Sequence, residues 1–69
     1  MKNDLIKSVS KSIKHFRELR EMTQYDLADK SGVDRSYISR LELGLANPSL
    51  KKIEVLAKAL NASVSVLFT

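Results

Sequence analysis

Three residues, at positions 32–34, separate two short segments that each carry the apolar spacing of an amphipathic helix. A turn this short makes the two helices cross steeply and pack directly against each other. Gly32 suits the left-handed backbone of such a turn, because glycine has no Cβ to clash there. An apolar seam between the helices is supplied by Leu27, Ile38 and Leu41. Residues 23–44 are therefore predicted to form a tightly packed helix pair.

Apolar spacing and capping residues indicate helices in the rest of the chain as well. The predicted helices span residues 4–20, 24–31, 35–43, 50–60 and 64–68. Their expected N-terminal caps are Asn3 or Asp4, Thr23 in a capping box with Asp26, Asp34, Ser49 and Ser63. The expected stops are Gly32, Gly44 and Asn61. The predicted core consists of Leu5, Val9, Ile13, Phe16, Leu27, Ile38, Leu41, Leu50, Ile53, Leu56, Leu60 and Leu67. The fold class predicted is all-α, with five helices.

The composition is that of one small basic domain, here taken as residues 1–69, with a net charge of +4 and no cysteine. The absence of cysteine excludes a disulfide framework and a thiolate metal site. The chain shows neither a signal peptide nor an apolar segment of the ~20 residues that cross a membrane. We therefore expect a cytoplasmic protein that has no cofactor and no membrane partner.

The predicted helix over residues 35–43 bears a polar face opposite its apolar seam. This face consists of Arg35, Ser36, Ser39 and Arg40. A guanidinium group can donate two hydrogen bonds to O6 and N7 of guanine in the DNA major groove. Residues 23–47 carry a net charge of −1, whereas both flanks are positive. Selectivity for DNA would therefore come from individually placed donors, and long-range attraction from the flanking helices.

A longer motif covers the helix pair and the segment after it. It reads Thr23-Gln24-x-x-Leu27-Ala28-x-x-Ser31-Gly32-Val33-x-x-x-x-Ile38-Ser39-x-Leu41-Glu42-x-Gly44, followed by Asn47-Pro48-Ser49. This motif resembles the helix-turn-helix of the Cro/C1-type (XRE-like) family, and the resemblance extends over residues 13–68. The string at residues 34–39 also resembles restriction–modification controller proteins. The family resemblance implies a lambda-repressor-like domain that binds double-stranded DNA.

The resemblance implies a role for each matching residue. Base edges would be contacted by Arg35, Ser36 and Arg40, with Ser39 and Tyr37 at the rim of the contact. The DNA backbone would be bound by Gln24, Asn47 and Ser49. Arg17 and Glu42 match a structural ion pair between the first helix and the recognition helix. Glu21 departs from the family, which usually has glycine there, so the helix is expected either to be strained at that end or to end in a different way.

Several residues also have plainer interpretations. Tyr37 has the alternative of packing its ring against the first helix. The lysine stripe Lys7, Lys11 and Lys14 is interpreted as a solvated helix face. His15 has no second ligand at metal-binding spacing, so no metal site is expected. No serine, histidine and aspartate are placed as a catalytic triad, and catalysis is not expected.

The chain has more apolar residues than a minimal core needs. The surplus consists of Leu43, Leu45, Val55, Val66 and Phe68. We predict that these residues form a homodimer interface built from the loop after residue 43, the fourth helix and the C-terminal turn. The alternative is that they are surface apolar residues without a common role. One recognition helix discriminates only a few base pairs, each by ~1–3 kcal/mol, whereas two copies read two half-sites of one operator.

The function predicted is a transcriptional regulator that binds a palindromic operator as a homodimer, with autoregulation of restriction–modification genes as the narrower hypothesis. Three alternatives stay open: a phage or plasmid Cro-like repressor, an antitoxin that binds both DNA and a toxin, and a cationic protein-interaction module. No small-molecule ligand is expected.

Overall fold

The computed structural model describes residues 2–68, whose backbone forms four α-helices and one 3₁₀ helix. The α-helices span Lys2–Leu19 (α1), Gln24–Ser31 (α2), Arg35–Glu42 (α3) and Leu50–Ala59 (α4), and the 3₁₀ helix spans Ser65–Phe68. No strand occurs between residues 2 and 68, which confirms the all-α class. Helix α1 packs against the 3₁₀ helix and α3, and α2 packs against α3 and α4.

The prediction of a fifth α-helix over residues 64–68 is wrong in its type. The segment is a 3₁₀ helix in which Val66 N donates to Ser63 O at 3.2 Å and Leu67 N to Val64 O at 3.0 Å. Four residues are too few to continue into regular α-helical hydrogen bonding, and short segments of this length are typically 3₁₀. The prediction that Asn3 or Asp4 caps α1 is also wrong, because α1 already begins at Lys2.

The predicted caps of α2 and α4 are confirmed. The Thr23 hydroxyl accepts from Asp26 N at 3.0 Å, and Thr23 N donates to the Asp26 carboxylate at 2.8 Å, which completes a capping box. The Ser49 hydroxyl accepts from Lys52 N at 3.2 Å.

Asp34 occupies the cap position of α3, but its side chain makes no capping hydrogen bond. Its carboxylate instead accepts from the Ser36 hydroxyl.

Helix α1 ends in a Schellman motif whose left-handed residue is not glycine. Glu21 N donates to Glu18 O at 2.9 Å, and Met22 N donates to Arg17 O at 2.9 Å. These two bonds require a left-handed residue at position 21, and Glu21 adopts φ +56°. Because the Cβ of an L-residue crowds the following carbonyl in this conformation, the strain expected at Glu21 is present.

Replacing Glu21 with glycine is expected to raise the free energy of unfolding by ~0.5–1 kcal/mol, because glycine adopts positive φ without the Cβ penalty. Urea denaturation followed by circular dichroism measures the difference. Asn61→Gly is the matched control, since Asn61 occupies the same position of a second Schellman motif after α4, with φ +54°. Asparagine tolerates this conformation, so its replacement should gain less. Equal gains at both positions would contradict the argument.

The core lies where α1, α2, α3, α4 and the 3₁₀ helix meet. Its buried hydrophobic residues are Val9, Ile13, Leu27, Val33, Ile38, Leu41, Ile53, Leu56, Ala57, Ala59, Leu60 and Leu67. The predicted core is wrong at Leu5 and Leu50, whose side chains are 54% and 62% exposed, and Phe16 is only partly buried. Leu5 and Leu50 lie in the first turns of α1 and α4. Leu5 lines a depression with Pro48 and Phe68, which cover it only in part.

Candidate nucleic-acid interface

Helix α3 is held by one face and leaves the other at the surface. Ile38 and Leu41 are fully buried, and they anchor α3 against α1 and α2. On the opposite side Ser36 and Arg40 are exposed, while Arg35 and Ser39 are partly buried. The structure therefore places the predicted base-contacting residues together on a single accessible face of α3.

Arg35 is held against α2 by two neighbouring side chains. Its guanidinium carbon lies 4.9 Å from the centroid of the Tyr25 ring. Its Nη1 donates to Gln24 Oε1 at 3.5 Å. Tyr25 was absent from the residues expected from the sequence, because an exposed aromatic residue at the second position of a helix carries no pattern of its own. Arg35 thus occupies a defined position at the edge of the α2–α3 unit.

A bidentate ion pair joins α1 to the end of α3. Arg17 Nε donates to Glu42 Oε2 at 2.7 Å and Nη2 donates to Oε1 at 3.0 Å. The remaining nitrogen, Nη1, donates to the carbonyl of Met22 at 2.7 Å. The hydrogen bond to Glu42 raises the pKa of Arg17 above its ordinary value. The two side chains are only 11% and 4% exposed, so the charged groups of this pair are largely shielded from solvent at the edge of the core.

Gln24 extends this network towards the polar face of α3. Its Nε2 donates to Glu42 Oε1 at 3.0 Å, while its Oε1 faces Arg35. The amide is therefore oriented by the carboxylate that also binds Arg17. The expected phosphate contact of Gln24 stays a prediction, and the structure adds a second role for it, since one side chain connects the ion pair to the guanidinium of Arg35.

The ring of Tyr37 lies between two cations. The Arg40 guanidinium carbon is 5.8 Å from its centroid, and Lys52 Nζ from α4 is 5.0 Å from it. Burial raises the pKa of the Tyr37 phenol, and the charge of Arg40 partly opposes that rise. The phenol therefore keeps its proton at neutral pH and can donate a hydrogen bond. Lys52 was not among the residues expected from the sequence.

The remaining predicted DNA contacts are two residues of the α3–α4 loop, Asn47 and Ser49, and Ser36 of α3. Asn47 and Ser49 are both exposed, and the hydroxyl of Ser49 caps α4. Ser36 is already engaged with the carboxylate of Asp34, which lies beside it on the same surface. A DNA contact by Ser36 would use the remaining acceptor capacity of its oxygen or release it from Asp34.

The five predicted dimer residues fall on different parts of the surface. Leu43 and Leu45 are exposed in the loop after α3. Val55 lies beside Lys30 and Lys58. Val66 lines a depression with Lys11 and His15, and Phe68 lines another with Leu5 and Pro48. One dimer contact that uses all five residues would therefore have to combine the loop after α3, helix α4 and the 3₁₀ helix.

Arg20 has a structural role that the sequence pattern does not indicate. Its Nε donates to Leu60 O at 3.0 Å and its Nη2 to Asn61 O at 3.4 Å, at the carboxyl end of α4. A cation is favourable there because the last carbonyls of a helix carry partial negative charge. The partners are 40 and 41 positions away, so no local motif reveals the contact.

Within residues 2–68, no group of three or more histidine, aspartate or glutamate side chains is placed to hold a metal ion. His15 packs edge-on against Phe16, with ring centroids 5.2 Å apart. Among the helices described, none has the length and apolar character needed to cross a membrane.

Comparison with known proteins supplies the family. A helix-turn-helix family model matches residues 13–67. Control protein C.SmaI of Serratia marcescens is 35% identical over 66 residues, which cover 96% of this chain and 79% of that protein. The immunity repressor of Bacillus phage phi105 is 40% identical over 60 residues, covering 87% of this chain but only 42% of the repressor.

A solved structure shows the same fold at higher identity. It contains the restriction–modification controller protein C.Esp1396I as a tetramer in complex with its natural 35 base-pair operator. That protein is 44% identical, with a TM-score of 0.86 over 93% of this chain and 84% of its own. The present chain therefore belongs to the Cro/C1-type (XRE-like) helix-turn-helix family of DNA-binding transcriptional regulators.

Proposed function

We propose that this regulator binds a two-fold symmetric operator as a homodimer, with α3 of each copy in the major groove. The observation that carries the proposal is the polar face of α3, which lies at the surface while Ile38 and Leu41 hold the helix from behind. Eight residues of α-helix are ~12 Å long, which matches a major groove ~12 Å wide. Arg35 and Arg40 then provide the guanidinium groups that recognise guanine.

The residues beside this face are suited to bind the DNA backbone, whereas the face itself is suited to contact bases. Gln24, Asn47 and Ser49 lie at the start of α2 and before α4, where side chains and backbone N–H groups can bind phosphate. Tyr37, with its retained proton, is assigned to the rim of the contact together with Ser39. Lys52 adds positive charge beside Tyr37 and favours association with the polyanion.

We propose a homodimer because one recognition helix contacts only a few base pairs, and their combined free energy is too small to distinguish one operator from other DNA. Two copies related by a two-fold axis read half-sites about one helical turn apart, ~10 base pairs. Leu43 and Leu45 are the strongest candidates for the dimer contact, because both are largely exposed and adjacent to the recognition helix. Val55 on α4, and Val66 and Phe68 on the 3₁₀ helix, remain part of the proposed interface.

The regulated genes are proposed from the relatives. The identity to two controller proteins supports control of restriction–modification genes, including the regulator's own. The 40% identity to a phage immunity repressor supports a phage-type repressor as the second candidate. In either case residues 1–69 are proposed to act as one DNA-binding domain in the cytoplasm, without a catalytic step of their own.

Arg35→Ala tests the base contact. The parent protein first selects a duplex from a library with about 20 random base pairs, enough for two half-sites one turn apart. Titration of this selected duplex and of a scrambled duplex then gives the sequence preference. Arg35→Ala should lose ~1–3 kcal/mol of preference per half-site while salt-dependent binding to the scrambled duplex persists. The same titration gives two chains per selected duplex if the dimer proposal is correct.

Lys14→Ala is the matched control for this experiment. It removes one positive charge from an exposed position on α1, outside the proposed face. It should weaken binding to both duplexes by a similar small factor. If Arg35→Ala behaves like Lys14→Ala, weakening both duplexes equally, then Arg35 binds phosphate and α3 does not read bases through it.

A further inference from the structure

We propose that Tyr25 is a positioning residue for base recognition, and that its ring holds the guanidinium of Arg35 ready to contact guanine. This inference deepens the function proposed above and rests on it. Its basis is the contact between an exposed aromatic ring on α2 and the first side chain of α3, whose guanidinium carbon lies 4.9 Å from the ring centroid.

The Tyr25 ring is not part of the hydrophobic core. Tyr25 is 67% exposed and does not belong to the core or to the residues packed against it. Single exposed aromatic residues are common and imply no role by themselves, so the inference rests on what the ring contacts. Its cationic neighbour in this structure is Arg35.

A guanidinium held over an aromatic ring can keep hydrogen-bond donors free. The group is planar, and its N–H donors point outwards in that plane, so contact with a ring need not use them. One of those donors, Nη1, is already directed towards Gln24 Oε1 at 3.5 Å. Arg35 is therefore held by an aromatic face and by an oriented amide, and its remaining donors are available to O6 and N7 of guanine.

The expected advantage is preorganisation. A free arginine side chain has many rotamers, and binding a base edge in one geometry requires most of them to be given up. The Tyr25 ring restricts these rotamers before DNA arrives, at a surface where a cation–π contact changes an equilibrium by about 2.3-fold to fivefold. Because a dimer would carry two such arginines, the expected effect on the whole selected duplex is about five- to twenty-fivefold.

Tyr25→Leu and Tyr25→Phe form the matched pair for the test. Leucine removes the aromatic face but keeps an apolar side chain with good helix propensity, whereas phenylalanine keeps the face and removes only the hydroxyl. We expect Tyr25→Leu to lower the preference for the selected over the scrambled duplex by about five- to twenty-fivefold. Tyr25→Phe should retain the parent preference, and the melting temperatures of both variants should match the parent's.

Combination with Arg35→Ala shows whether the effect passes through Arg35. With no guanidinium to hold, Tyr25→Leu should cause no further loss in the Arg35→Ala background. A loss that persists in that background, or one that Tyr25→Phe also shows, would mean that Tyr25 contacts DNA itself and would overturn the proposal. An unchanged or increased preference in Tyr25→Leu would overturn it as well.

These outcomes are distinct from failure of the proposed function. A parent protein that selects no duplex and binds all sequences equally would refute sequence-specific binding, and the role of Tyr25 with it. A parent that shows a clear preference, lost in Arg35→Ala but kept in Tyr25→Leu, would refute the positioning role alone.

Discussion

Arg17→Ala is expected to lower the free energy of unfolding by about 3–5 kcal/mol, the largest loss among the substitutions considered. The Glu42 carboxylate is 4% exposed and would keep its charge inside the protein without the guanidinium that binds both of its oxygens. The carbonyl of Met22 would lose its hydrogen bond from Arg17 at the same time. Urea denaturation followed by circular dichroism measures the loss.

A domain of this length has a total stability of roughly 3–10 kcal/mol, so Arg17→Ala approaches complete unfolding. The double variant Arg17→Ala with Glu42→Ala resolves the cause, because it removes the buried charge together with its partner. The double variant should therefore be more stable than the sum of the two single losses predicts. Arg20→Ala is the matched control: Arg20 is exposed, binds the backbone carbonyls of Leu60 and Asn61 and lies over the Phe16 ring, but pairs with no carboxylate in the structure described, so a loss of ~1 kcal/mol is expected. Losses of equal size at both arginines would contradict the importance of the paired carboxylate.

Leu56→Ala is expected to cost about 2–5 kcal/mol, whereas Leu50→Ala on the same helix should cost less than about 1 kcal/mol. Leu56 is fully buried, and removing its side chain leaves a cavity among the core residues of α4 and its neighbours. Leu50 is 62% exposed in the first turn of α4, so its truncation removes little buried surface. Both variants make the same chemical change, and the difference between their unfolding free energies measures burial alone.

Similar losses for the two leucines would show that another surface covers Leu50 in solution. Repeating the denaturation over a range of protein concentrations distinguishes this case, because a second copy that covers Leu50 makes the midpoint depend on concentration. A midpoint independent of concentration, together with a large loss at Leu50, would contradict the burial described for α4.

Local sequence signals were sufficient for the helices and for most of their ends. The capping box at Thr23, the cap at Ser49 and the left-handed residues after α2, α3 and α4 depend on neighbouring residues, so a linear pattern contains them. Helical spacing likewise predicted Ile38 and Leu41 in the core and the polar residues of α3 on the opposite face. Within the candidate site, this polar face is the part that the sequence pattern located.

Two features were not predictable from local patterns: whether another element covers a helix face, and which distant side chains meet. The Arg17–Glu42 ion pair was predicted only through the family resemblance, and the structure contains it. Spacing shows which face of a helix is apolar, but not whether another element reaches that part of it, which explains the errors at Leu5 and Leu50. The contact of Arg35 with Tyr25 and that of Arg20 with Leu60 depend on how the helices cross. Gln24 was assigned to phosphate from family resemblance, and its bond to Glu42 became visible only with the fold.

The carboxylate of Glu42 has a consequence for how this protein can acquire a new operator. It binds Arg17 in the ion pair between α1 and α3, and it binds Gln24, which faces Arg35. Under the proposed function, a substitution at position 24 would disturb both this ion pair and base recognition. Ser36 and Arg40 are exposed on α3 and have no bond to this carboxylate, so under the same proposal substitutions there would change sequence preference at little cost in stability. Divergence of binding specificity among descendants of this chain should accordingly accumulate first at those two positions.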